Sequence, residues 1–165
     1  MPDGFGTNKL IAFITRTSAF LAVVSLFAMM LLITLDVTLN KLIGRPIPGT
    51  IEITSYYFMV FVVFLTFPII EQNQSHISAD FIVARFSAKV QNAFQLLGKL
   101  LTIIFYSLLA HGAVTQALKS TYSLETAMSN FTFYIWPARW GVVLGLFSAI
   151  IVIVIIVIQR IKNNP

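Results

Sequence analysis

Apolar positions in this chain do not alternate with polar ones but run together in four long blocks. Thr17–Leu35, Ile53–Ile70, Leu100–Leu118 and Gly141–Ile158 contain no Asp, Glu, Lys or Arg. An α-helix rises about 1.5 Å per residue, so each block can cross a hydrocarbon core of about 30 Å. Core helices of soluble proteins rarely run this far without a charge. The pattern therefore predicts an all-α integral membrane protein, with four transmembrane helices in a single membrane domain over 1–165. The connection between the second and third blocks has a different rhythm. Ile82, Phe86, Val90, Ala93, Phe94 and Leu97 recur near helical spacing, with Arg85, Lys89, Asn92 and Gln95 largely on the other side. This predicts an amphipathic interfacial helix over about 81–98, or an extension of the third span into the interface.

Composition sharpens the membrane reading. Of 165 residues, 58% are hydrophobic and only 10% charged, with a mean hydropathy of +0.88. Soluble domains carry about 25% charged residues, so this chain has too few to coat a water-exposed surface. The net charge of +5 does not point to nucleic acid. The Lys and Arg residues flank the apolar blocks and form no stripe with interleaved aromatics, so lipid is the expected environment. With no cysteine, disulfides, thiolate metal sites and iron–sulfur clusters are excluded. Lys9 and Arg16 before the first block could mark a signal peptide. Its apolar run exceeds the usual ~7–15 residues and no small-x-small cleavage site follows, so it is expected to stay as an anchor.

Charge also sets orientation. Lys9, Arg16, Arg85, Lys89, Lys99, Arg160 and Lys162 lie on one side; Lys41, Arg45, Lys119 and Arg139 lie on the other, beside Asp36, Glu52 and Glu125. The positive-inside rule places both termini and the 71–99 connection in the cytoplasm. Tyr56, Tyr57, Tyr134, Trp136 and Trp140 then form an aromatic belt at the outer interface. Gly44-Arg45-Pro46-Ile47-Pro48-Gly49 cannot be helical, because its prolines remove donors and force extended backbone before them. Thr50 is the expected N-cap of the second helix, with Glu52 in its first turn.

Chemistry is sparse. No acidic or basic side chain lies within the blocks; Asp36 stands just past the outer end of the first, and Glu71 just past the inner end of the second. A proton-coupled exporter would want a carboxylate at mid-depth. His111 is the one titratable side chain deep in a span, as a haem ligand, a proton relay or, more simply, one end of an interhelical hydrogen bond with Gln116 nearby. His76 and Asp80 share a face at i, i+4 but lack the third ligand a zinc or iron site needs. A local hydrogen bond between them is the simpler reading. Ser18, Ser25, Thr34, Thr66, Thr102, Ser107, Thr115 and Ser148 are small polar residues that let helices pack closely, with Pro68 and Gly145 as breakers. No nucleophile, phosphate loop or catalytic carboxylate pair is present, so no enzymatic activity is expected. The residues describe a scaffold or anchoring subunit.

Four stretches carry a family likeness. Asp36-Val37 closes the first span, and Arg45-Pro46-Ile47-Pro48-Gly49-Thr50-Ile51-Glu52 opens the second. His76-Ile77-Ser78-Ala79-Asp80 shows a His-x-x-x-Asp pattern, and Trp136-Pro137-Ala138-Arg139-Trp140 precedes a fourth span containing Gly145. In this order and topology the chain resembles the small transmembrane subunit, the DctQ family, of tripartite ATP-independent periplasmic (TRAP) transporters. Lys41, where an arginine is usual, and Val143, where a proline is common, depart from the pattern. The resemblance implies a bacterial inner-membrane protein that packs beside a large elevator-type membrane subunit. It implies a periplasmic binding protein as transient partner and a small organic acid as substrate. It implies no cofactor here, with sodium bound in the large subunit. On that basis Lys41, Arg45, Lys119 and Arg139 are candidates for a periplasmic docking surface, and Asp36, Glu52 and Arg139 for a polar cluster supporting the loops. For Arg139 the alternative is snorkelling to the headgroups. A haem-associated anchor of a respiratory enzyme, using His111, is the alternative function; a small drug exporter is a more distant one.

Overall fold

A computed structural model describes residues 9–73, 88–127 and 133–163. Four helices in it are long and apolar enough to span a membrane. The first is α1 (Lys9–Ile43). The second span, Thr50–Asn73, is built from pieces: α2 (Thr50–Ile53), a π-helical turn (Thr54–Phe58), α3 (Met59–Phe64) and α4 (Phe67–Asn73). The third and fourth spans are α5 (Ala88–Tyr122) and α6 (Trp136–Asn163).

Every helix outruns its apolar block, because backbone chemistry rather than hydropathy ends it. The first continues through Asp36 and Lys41 until Gly44, whose N–H returns to the Asn40 carbonyl at 2.9 Å with φ at 68°. That left-handed stop suits glycine, which has no Cβ to clash. The fourth starts at Trp136, and Pro137 falls in its first turn, where no N–H is needed. Residues 81–87 and the His76–Asp80 pair lie outside the described residues. From Ala88 onward the expected interfacial helix is not a separate element. It is the beginning of α5, which passes through Gly98 without interruption. The extension reading therefore holds for the part that is described.

The second span departs from the uniform helix its apolar run predicts. Pro68 has no N–H for the Phe64 carbonyl one turn earlier. The chain accordingly turns at Leu65 and Thr66 before α4 begins. Local bonds repair much of the gap. The Thr66 N–H reaches the Val63 carbonyl at 3.3 Å, its hydroxyl donates to the Val62 carbonyl, and the Ile69 and Ile70 N–H groups converge on the Thr66 carbonyl at 3.0 and 3.1 Å. Such repair is how a membrane helix tolerates proline.

The fourth span is the centre. Half of its apolar window (50%) is buried, against 11% for each of the other three. It packs most extensively on α5 and then on α4 and α3. Leu146, Ala149, Val152 and Ile153 are essentially inaccessible. One cluster joins Leu146 and Ala149 to Tyr106 and Ala110 of α5, with Phe64 and Phe67 against it; another joins Val152 and Ile156 to Ile11 of α1. Lipid tails are as apolar as these side chains, so close fit must hold the helices together. Small residues supply it. A Cβ at Gly145 would lie 2.5 Å from the Phe64 carbonyl oxygen, and one at Gly141 would strike the Phe61 ring. Gly145 thus does not break its helix; it lets the α6 backbone rest against the carbonyl that Pro68 strands. On α1, Thr15, Ser18 and Ala22 form the buried face.

Candidate functional site

The outer ends of the spans hold most of the polar structure. Asp36 lies on the last turns of α1, and its carboxylate accepts the backbone N–H of Ile47. Ile47 stands between Pro46 and Pro48, so its N–H is the one donor those three residues offer. The bond folds the connection back along α1. Gly49, with φ at 85°, is the N-cap of α2 in place of the expected Thr50. Thr50 is instead buried as the first helical residue, and its hydroxyl donates back to the Ile47 carbonyl at 3.1 Å. The short loop satisfies its own groups, leaving the threonine no cap to make. Glu52 occupies the first turn as expected, half-buried.

A second brace joins the third and fourth spans. After α5 the chain turns through Leu124, at φ 47°, and makes a single antiparallel bridge between Thr126 and Tyr134. The Ala127 N–H bonds the Phe133 carbonyl at 2.8 Å, and the Ile135 N–H bonds the Glu125 carbonyl at 2.9 Å. This hairpin presents Glu125 to Arg139, one turn into α6. The guanidinium grips the carboxylate with both arms, Nε to Oε2 at 2.9 Å and Nη2 to Oε1 at 2.7 Å. The planar fork of arginine fits a carboxylate in this way where lysine cannot. Next to it, the Trp140 indole N–H donates to the Thr121 hydroxyl at 3.1 Å. The Tyr57 hydroxyl donates to the Tyr134 carbonyl at 2.8 Å, with its ring against Phe133. The hydrogen bonds from Arg139, foremost among the causes, hold the Glu125 carboxyl below the ordinary range.

Of the residues expected to form a polar cluster, Asp36 accepts the Ile47 N–H in the first connection, and Arg139 is paired with Glu125. Sequence reasoning treated Glu125 as a bystander because the hairpin that brings it fourteen positions back to Arg139 has no periodic signature. Lys41, Arg45 and Lys119 are exposed along this rim. Deeper in, Glu71 was also underrated. It is 4% exposed in α4 and hydrogen-bonded with Tyr106 of α5, whose ring stacks on Phe67 at 5.6 Å. Pro68, three residues earlier, was the available signal that α4 would turn inward. His111 projects from the opposite face of α5, away from the core.

Braced connections thus cap a four-helix body whose centre is filled by α6 side chains. The family model for the DctQ component of tripartite ATP-independent periplasmic transporters matches residues 29–163. The chain belongs to the DctQ family. It is therefore the small membrane component of a TRAP transporter, a multi-pass protein of the bacterial inner membrane. No curated protein matches it. The matched stretch begins within α1 and takes in both braces, from Asp36 to Arg139. The family assignment does not support a haem-bearing respiratory anchor, and His111 lies exposed on α5.

Proposed function

We propose that this DctQ subunit is the static membrane partner of a sodium-coupled importer of a small organic acid, with both termini in the cytoplasm. The observation that carries the reading is the fourth span: its centre is filled by Leu146, Ala149, Val152 and Ile153, so the most apolar helix of the chain is spent on packing, and the buried Glu71 is paired with Tyr106. The substrate carboxylate and sodium bind in the large membrane subunit, and this chain needs no cofactor of its own. A periplasmic binding protein docks transiently on the outer rim, with Lys41, Arg45 and Lys119 contributing positive charge. Arg139 supports that surface indirectly, by fixing the hairpin through Glu125.

Purification from native membranes in mild detergent, with mass spectrometry and an absorption spectrum of what co-elutes, tests the core of this. A stoichiometric polytopic partner without haem colour supports it. A coloured complex with hydrophilic redox subunits, or solitary protein that transports in liposomes, refutes it. Charge reversal at Lys41, Arg45 and Lys119 together should weaken binding-protein affinity in a salt-dependent way. Unchanged affinity would remove the docking role and leave the rest standing.

A further inference from the structure

The third span has two faces of different chemistry. Toward α6 it presents Tyr106, Ala110, Ala117 and Ser120, all buried. On the opposite side Ser107, His111 and Thr115 follow one another at one-turn spacing, all exposed, with Gly112 beside them. The Ser107 and Thr115 hydroxyls are satisfied by the helix itself, donating to the Ile103 carbonyl at 2.7 Å and the His111 carbonyl at 2.8 Å. An imidazole cannot reach back in this way. His111 lies eight residues before Lys119 on the outer rim, roughly 12 Å along the axis, too far for its short side chain to snorkel to the interface. A ring N–H turned into hydrocarbon would be left without a partner, and polar groups at that depth normally face protein.

α1 provides the contrast. Between the exposed Thr17 and Thr34, its outward face is Phe20, Val23, Val24, Phe27, Met30 and Leu31, a stretch with no imidazole or other titratable group and suited to lipid tails. The space around Gly112 is also open, with no atom near where a Cβ would be, so another helix can approach closely there. We infer that the Ser107–His111–Thr115 face of α5 is the seat of a transmembrane helix of the large membrane subunit, one that offers a carboxamide, hydroxyl or carboxylate to His111. This rests on the family reading above and adds which face of the small subunit meets its partner.

A photo-cross-linking residue placed at Leu108 or Gly112, in native membranes, should capture the large subunit; one at Val24 or Phe27 should capture lipid only. In the same complex His111→Leu should lower the fraction of large subunit retained on the tagged small subunit about three- to twentyfold, and His111→Gln should restore most of it. Capture from α1 but not α5 overturns the inference while leaving the subunit reading intact, as does capture only of a second copy. If no large subunit accompanies even the unmodified chain, both fail together. Equal retention by His111→Leu and the unmodified chain also overturns the role given to the imidazole.

Discussion

Replacing Gly145 by alanine should destabilise this protein, although the same change improves intrinsic helix propensity by about 1 kcal/mol. The new methyl would sit 2.5 Å from the Phe64 carbonyl oxygen and 2.7 Å from its carbonyl carbon. Those are backbone atoms and cannot rotate aside. The second span and α6 must separate until the contact reaches ordinary van der Waals range, which means a shift of nearly an ångström. A gap of 0.5–1 Å forfeits roughly a quarter to a half of each dispersion contact along the seam. Overpacking of this kind costs about 1–3 kcal/mol. Gly98→Ala is the matched control: it lies on α5 with open space around it, so only the propensity gain acts. The gain is common to both variants, leaving an expected difference of about 1–3 kcal/mol between them. Thermal unfolding of the isolated subunit in detergent, followed by size exclusion, would measure it. If Gly145→Ala is as stable as Gly98→Ala, the close approach of α6 to the broken helix is not what holds the two together.

Asp36→Ala should strand the Ile47 N–H and destabilise the first connection by about 1–3 kcal/mol, seen as faster exchange of the Ile47 amide; Asp36→Asn, which keeps an acceptor, should fall between. Tyr57→Phe removes one hydrogen bond to the Tyr134 carbonyl but keeps the ring contact, for a loss of about 0.5–1.5 kcal/mol by thermal unfolding, and Tyr57→Ala should cost more. Because Arg139 holds the Glu125 carboxyl below its ordinary range, the brace is fully present above about pH 4.3 and weakens as pH falls through the lowered value. Protection factors at the Ala127 and Ile135 amides, taken against the unstructured rate at each pH, should fall in that acid window, and Glu125→Gln should show the lower protection already at neutral pH.

The spans were legible because burying charge in hydrocarbon is costly, which forces long uncharged blocks. Their ends were not. A helix stops where backbone donors and acceptors can be satisfied otherwise, and Gly44 and Pro137 decide that independently of hydropathy. Pro68 was visible as a breaker, yet its consequence depended on Gly145, seventy-seven residues away, lying against the carbonyl it strands. The same limit applied to the rim. Thr50 has the residue type of a cap and Gly49 the conformation, and only the loop geometry chooses between them. Arg139 could be assigned to Asp36, Glu52 or headgroups on sequence alone; the short hairpin from Thr126 to Tyr134 made Glu125 the partner. Of the remaining candidates, His76 and Asp80 lie outside the described residues.

Hydropathy and burial part company in this chain, and the way they do so carries information about its surroundings. α6 is both the most apolar span, with a mean hydropathy of 3.3, and the most buried. Apolarity alone cannot have placed it at the centre, since lipid would accept the same surface. Its glycines and alanine at 141, 145 and 149, one turn apart, present a flat ridge that neighbouring backbones can approach. The third span is the converse: lowest in hydropathy at 1.7, it is as little buried as the first, which has 2.5. A helix that is less apolar than its neighbours and no better covered would be poorly matched to lipid along its exposed side. That mismatch disappears if a second protein, not lipid, occupies the side bearing His111. In a subunit made for assembly, the fit missing within one chain is supplied by the next.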